Sequence, residues 1–204
     1  MTELETEISV VTETWIVDNA GLRDRLEWFK HDEGFEVIMK NRQTGRGGSA
    51  AIVYRRGDWI MNRVKTDPRV EVVCAIGRRT SQRRKMAVIG AYIPPSANAV
   101  ENEEFLNYIA DLVSIVKSKY SSPDITIAGD FNHRKIDNHL KEYPELKLVH
   151  TGPTRGRNTL DLVYTNFDEH IIEAKTIEPI ANQVGVMSDH LAVHVAARIP
   201  RVPK

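Results

Sequence analysis

Cysteine is nearly absent from this chain: Cys74 is the single one in 204 residues. An internal disulfide is therefore excluded, and Cys74, set in the apolar run Val72-Val73-Cys74-Ala75-Ile76, reads as a small buried hydrophobe. Charge of one sign is lacking too, because 28 Lys plus Arg stand against 28 Asp plus Glu. No global cationic excess draws the chain to phosphate, so any affinity for nucleic acid has to come from local patches. Long apolar runs are missing. The longest uncharged stretch, Met86 to Val100, contains Pro94 and Pro95 and many small residues, which excludes a spanning helix. The acidic start Thr2-Glu3-Leu4-Glu5-Thr6-Glu7 stands where a secretory signal would carry a basic region and then an apolar one. A protein that does not enter the membrane, in an intracellular compartment, is expected.

What is present is a series of short runs rich in Val and Ile: Ile8 to Val11, Phe35 to Met39, Ala50 to Tyr54, Val70 to Ile76, Met86 to Ile93, Ile125 to Ala128, Leu160 to Tyr164, Ile171 to Ile177 and Leu191 to Ala196. Most read as strands, and several are apolar almost continuously, as strands covered on both faces are. One long helix is predicted where Phe105, Ile109, Leu112, Val113 and Val116 form a stripe after the acidic start Glu101, Glu103, Glu104. Weaker amphipathic stretches at Leu22 to Lys30 and Ile136 to Tyr143 predict short helices. With no repeat, linker or low-complexity tract, residues 1–204 read as a single α/β (α+β) domain.

Four polar clusters sit at strand ends. Glu13, in Thr12-Glu13-Thr14-Trp15, follows the first run and suits a hard cation, which takes one or two carboxylates and fills its other positions with water and phosphate oxygens. A solvated glutamate at a strand end is the plainer reading of that residue alone. Gly129-Asp130-Phe131-Asn132 follows Ile125 to Ala128; the glycine permits a sharp turn after which Asp130 and Asn132 can converge, although an ordinary Asx turn has the same pattern. Asp161 lies inside an apolar strand and needs a partner such as His or Arg. Ser188-Asp189-His190 supplies one: a carboxylate can hold a protonated imidazole that stabilises a phosphoryl centre. His194 raises a zinc reading, and Ser188 a serine-hydrolase reading; the first lacks a following Glu or a nearby Cys, the second a nucleophile elbow. Basic residues cluster twice. Arg78, Arg79, Arg83, Arg84 and Lys85 fall between two strands on a hairpin tip, and Thr154, Arg155 and Arg157 precede the Asp161 strand. Both patches are candidates for contact with DNA phosphates, against the plainer reading of solvated loops.

In chain order, Thr-Glu-Thr-Trp (12 to 15), Gly-Gly-Ser-Ala-Ala-Ile-Val-Tyr (47 to 54), Ala-Tyr-Ile-Pro-Pro-Ser (91 to 96), Gly-Asp-Phe-Asn (129 to 132), Leu-Asp-Leu-Val-Tyr-Thr-Asn (160 to 166) and Ser-Asp-His (188 to 190) resemble the endonuclease/exonuclease/phosphatase superfamily. Within it the pattern is most similar to the apurinic-like endonuclease domain of non-LTR retrotransposons. The resemblance implies a DNase I-like two-sheet α/β sandwich with helices on the outer faces, which nicks one DNA strand by phosphodiester hydrolysis with Mg²⁺ (Mn²⁺ substituting) and leaves a 3′-hydroxyl, in the nucleus. It makes Glu13 the metal ligand, with Asp189 beside the metal or the leaving group. Asp130 orients or deprotonates the attacking water, Asn132 and Tyr92 hold the scissile phosphate, and Asp161 orients His190. A phosphatase or phosphodiesterase of smaller substrates is the related alternative.

The chain departs from that pattern in two places. Pro95 stands where apurinic endonucleases carry an Asn; the retrotransposon branch also has Pro there. Family members also begin with a strand bearing an active-site Asn some tens of residues before the Glu motif, whereas twelve residues precede Glu13 here. A sheet without that strand exposes an edge, which predicts a homodimer through it or a marginally stable monomer, and weakened Mg²⁺ binding. An inactive remnant that binds nucleic acid or itself is the reading from another functional class.

Overall fold

Residues 86–92 are buried at every position because both faces of the strand they form are covered. The computed structural model describes residues 6–13, 34–40, 48–178 and 188–198. Its strands are β1 (Ile8–Thr12), β2 (Phe35–Met39), β3 (Ala50–Arg55), β4 (Trp59–Val64), β5 (Val72–Arg79), β6 (Met86–Tyr92), β7 (Asp124–Asp130), β8 (Lys147–Leu148), β9 (Asp161–Thr165), β10 (Ile171–Ile177) and β11 (Ala192–Ala197). One long helix, α1 (Ala99–Lys119), crosses between β6 and β7. The expected helix at Leu22 to Lys30 lies outside the described residues.

Six strands form the central sheet in the order β4-β5-β6-β7-β9-β8, antiparallel except for the parallel pair β6 and β7. Alternation sends Val72, Cys74, Ile89, Ile125, Ile127 and Leu162 to one face, where Phe105, Leu106, Ile109, Leu112, Val113 and Val116 of α1 cover them. Burial there pushes the Cys74 thiol up to about 12, so it stays a neutral hydrophobe. Val73, Ala75, Met86 and Val88 point to the other face, onto Ala50, Ile52 and Tyr54 of β3. The helix begins as its sequence directs: Asn98 Oδ1 accepts from the Val100 and Glu101 amides at 2.9 and 3.0 Å, and Glu101 Oε2 accepts from the Asn98 amide at 2.8 Å.

The second layer consists of two pieces, a three-stranded sheet β1-β3-β2 and the pair β10-β11. β3 lies over β5 and β6, β1 over β6 and β7, and β11 over β9. Among the described residues, β1 bonds only to β3 and β11 only to β10, so each leaves a ladder edge unpaired there. The architecture is the expected two-sheet α/β sandwich of the DNase I-like kind. No helix of the described residues is long and apolar enough to cross a membrane.

Two expectations need correction. Ile136 to Tyr143 is a chain of turns (His139 to Ile136, Tyr143 to Leu140) that buries Ile136 and Leu140 without becoming a helix. Pro144 disfavours helical geometry at Tyr143 and ends the stretch early. Strand β4 was not among the expected runs; its alternation of buried Trp59 and Met61 with exposed Ile60 and Asn62 is that of a strand half covered at the sheet edge.

Candidate active site

Strand register assembles the site. Tyr92 of β6 pairs with Asp130 of β7, and Asp130 with Asp161 of β9, so one row across three adjacent strands carries all three side chains. β1 delivers Glu13 from the layer above, and the Tyr92 hydroxyl donates to Glu13 Oε1 at 2.6 Å. β11 is preceded by His190, whose Nδ1 lies 2.9 Å from Asp161 Oδ2. One ligand atom from each of Asp130, Asp161 and His190 lies within 4.8 Å of the other two.

The backbone is shaped to permit this. Gly129 has φ 148°, and a Cβ there would meet the Ala91 carbonyl oxygen at 1.9 Å, so a side chain at 129 would force β6 and β7 apart. Asn132 (φ 43°) and His133 (φ 68°) then turn through the left-handed region. The turn is held by Asp130 Oδ1, which accepts from the Asn132 amide at 3.0 Å. Asn132 Nδ2 donates to Asp130 Oδ2 at 3.1 Å and to the Ile93 carbonyl at 2.9 Å. Glu13 also has positive φ, 50°. Non-glycine residues held this way cost about 1–3 kcal/mol each and gather where geometry serves function.

Burial, then the charge on Asp161, raises the Asp130 carboxyl to about 6; Glu13 adds to the rise, while the Asn132 amide and His190 oppose it. The Tyr92 hydroxyl is pushed up by burial first, then by its bond to Glu13 and the charges of Glu13, Asp130 and Glu71, so it remains a proton donor. Three crowded carboxylates with one of them forced toward neutrality form a site that a divalent cation would relieve, and oxygen donors of this kind suit a hard cation. The donor set therefore suits a divalent cation, without Asp189, which pairs with Arg155.

The other expected residues fall in different places. Asp189 is exposed and pairs with Arg155. Arg157 is exposed in the turn that the Arg155–Asn158 bridge closes. Thr154 is 0 % exposed, so it is not offered to a substrate; its hydroxyl is spent inside the fold. The five-cation run lies at the other end of the sheet, since Met86 and Tyr92 are opposite ends of β6, about 20 Å apart. Three of its members are committed internally. Arg78 reaches the carbonyls of Arg79, Thr80 and Gln82; Arg79 pairs with Glu7 over the Trp59 ring; Arg84 pairs with the buried Asp124. Arg83 is exposed and Lys85 half-buried. As a phosphate-binding patch the run is thus mostly structural, because a hairpin tip packed against acidic neighbours spends its charges locally.

Glu71 was not anticipated. Its carbonyl accepts from the Tyr92 amide at 3.0 Å and its Oε2 from the Ser49 amide at 2.5 Å, fastening the 48–49 loop beside the site. No motif surrounds it, and its role depends on pairing between segments distant in sequence.

Known structures share this fold. The endonuclease domain of TRAS1, a telomere-specific non-LTR retrotransposon, superposes with a TM-score of 0.68 at 16% identity, over 97% of this chain and 88% of that one. The fold is that of the endonuclease/exonuclease/phosphatase proteins. A protein described as of the endonuclease/exonuclease/phosphatase family from Leptotrichia buccalis matches with a TM-score of 0.61 at 15% identity, over 95% of this chain and 88% of that one. The mannosyl-6-phosphatase of Bacteroides thetaiotaomicron matches with a TM-score of 0.60 at 13% identity, over 95% and 85%. No family model and no curated protein matches the sequence.

Proposed function

We propose that the chain is a divalent-metal-dependent hydrolase of phosphodiesters, and specifically a DNA endonuclease that nicks one strand and leaves a 3′-hydroxyl. The observation that carries this reading is the convergence of Glu13, Tyr92, Asp130, Asp161 and His190 at one end of an endonuclease/exonuclease/phosphatase fold. The exposed Arg155, paired with Asp189 next to His190, favours a polyanionic strand over a small ester. A Mg²⁺ or Mn²⁺ ion held by Glu13, with Asp130 and Asp161 close by, would supply Lewis acidity and charge neutralisation at the phosphate. Asp130, oriented by Asn132, takes the proton of the attacking water. His190, held through Nδ1 by Asp161, presents Nε2 to the developing negative charge. Tyr92 donates its hydroxyl proton, to Glu13 in the free site and to a phosphate oxygen once substrate displaces that bond. Asp189, freed from Arg155 when that arginine turns to a phosphate, reaches the leaving group. Such an enzyme acts on chromosomal DNA and belongs in the nucleus.

The TRAS1 likeness favours DNA, and the phosphatase likeness supports the second reading, a smaller phosphate ester. A labelled duplex oligonucleotide and a panel of sugar phosphates separate them. Metal-dependent cutting of the duplex to a 3′-end that a polymerase extends, with no release of inorganic phosphate from the panel, is expected; phosphate release without duplex cutting would transfer the assignment to the second reading.

The edges of β1 and β11 that are unpaired among the described residues lead to a partner proposal: two copies associate through a sheet edge, with Val11 at 41 % exposure in the contact. Light scattering should give twice the chain mass, reduced to the monomer by Val11→Lys. A monomer at micromolar concentration would contradict it.

A further inference from the structure

Thr154 lies on the loop before β9, its side chain closed off from solvent, yet it touches none of the reacting groups. Its Oγ1 accepts from two successive amides, Leu160 at 3.0 Å and Asp161 at 3.1 Å, which occupies both acceptor positions of the hydroxyl. Its own amide donates to the Asn158 carbonyl at 2.8 Å, closing the turn. Its carbonyl accepts from the Leu191 amide at 2.6 Å. One residue thus grips the backbone on both sides of the Asp161–His190 contact, at Asp161 itself and one residue after His190.

The second grip matters because β10 and β11 form a separate two-stranded sheet. Among the described residues, the bond from Leu191 to Thr154 is the backbone tie between the His190 segment and the loop that leads into β9. Arg155, next in the chain, pairs with Asp189, next to His190. The contacts 154 to 191, 155 to 189 and 161 to 190 form three rungs that dock one segment on the other. The 161 to 190 rung is the one that holds the imidazole.

We infer that Thr154 is a positioning residue that sets the Asp161–His190 pair, its hydroxyl fixing the Asp161 backbone and its carbonyl fixing the segment that carries His190. The inference rests on the proposed hydrolytic role of that pair. A displacement of the imidazole of about 1 Å is enough to cost roughly 10²-fold in a reaction governed by orientation. Thr154→Val removes the hydroxyl at nearly constant volume, leaving the Leu160 and Asp161 amides without their acceptor, whereas Thr154→Ser retains it.

The test uses the full chain and two readouts. The first is the low-field proton resonance of His190 Nδ1, which reports the bond to Asp161 and needs neither metal nor turnover. The second is kcat and KM on a duplex substrate. Thr154→Val should shift or broaden the resonance and lower kcat by about 10- to 10²-fold, with KM changed far less, and Thr154→Ser should restore both. If Thr154→Val does not fold, Thr154→Ala is read in the same way. An unchanged resonance and kcat in the Val or Ala variant would overturn the inference, as would a Ser variant that fails like Val. Loss of folding in both Val and Ala with an intact Ser variant would also overturn it, since the hydroxyl would then serve the fold alone. A wild-type chain that cuts no DNA would sink the functional reading while the proton resonance still decides the role of Thr154.

Discussion

Asp130→Asn should abolish nicking and, in the same protein, raise the melting temperature. The loss of a general base of this kind is worth about 10²–10⁴-fold in rate. The stability gain follows from the direction of the Asp130 shift. Its carboxyl stands at about 6 in the folded chain against 3.8 for the unperturbed group, because burial and the Asp161 charge both disfavour the anion. A raised acid contributes stability that is fully present below the unfolded value and lost as pH rises through the folded one. At neutral pH the ionised Asp130 therefore destabilises the metal-free protein, by roughly 3 kcal/mol for a shift of this size. The variant's amide loses about 1 kcal/mol by meeting the Asn132 Nδ2 donor with a second donor, leaving a net gain of about 2 kcal/mol. Thermal denaturation in EDTA at pH 7.5 checks the sign. The gain should vanish below about pH 4, where the wild-type carboxyl is neutral in both states. Mg²⁺ or Mn²⁺ should stabilise the wild type more than the variant. A lower melting temperature for Asp130→Asn at pH 7.5 would show that the site tolerates its crowded charges by some other means.

His190→Ala and Asp161→Asn should each lower kcat by about 10²–10³-fold, the usual cost of removing one preorganised group at a developing charge. Their combination should cost little more than His190→Ala alone. The reason is geometric: with Nδ1 at 2.9 Å from Asp161 Oδ2, the carboxylate acts on the reaction through the ring it orients, so it has nothing left to orient once the ring is gone. Single-turnover rates on a nicked-circle assay measure the three variants. Multiplicative losses would mean that Asp161 acts on the substrate or metal independently of His190.

How far the sequence alone reaches depends on whether a role is set locally. Gly129-Asp130-Phe131-Asn132 was legible because the turn is made within itself, Asp130 bonding to the amide and side chain of Asn132. The Asp161–His190 pair was legible because a carboxylate in an apolar strand demands a partner, and few candidates exist. The row Tyr92–Asp130–Asp161 was not, since it depends on the register of three strands. The same limit explains the basic residues. Nothing near Arg79 in the chain reveals Glu7, and nothing near Arg84 reveals Asp124, so both arginines read as surface charges until the fold closes those distances. Thr154 was read as a substrate contact because it stands with Arg155 and Arg157 just before the Asp161 strand; its hydroxyl instead accepts from the Leu160 and Asp161 amides, which the loop itself brings back. The strand order, which leaves an edge of β1 and of β11 unpaired among the described residues, was not legible, since no local pattern encodes which distant segments pair.

The most direct measurement is nicking of supercoiled plasmid at low ionic strength with Mg²⁺ or Mn²⁺, beside the same reaction in EDTA and with Asp130→Ala and His190→Ala. Conversion to open circles by the wild type, lost in all three controls, is the predicted result. A folded wild-type chain that leaves the plasmid supercoiled with either metal, or nicking that persists in EDTA or in both variants, would contradict the assignment of this cluster as a metal-dependent phosphodiesterase site.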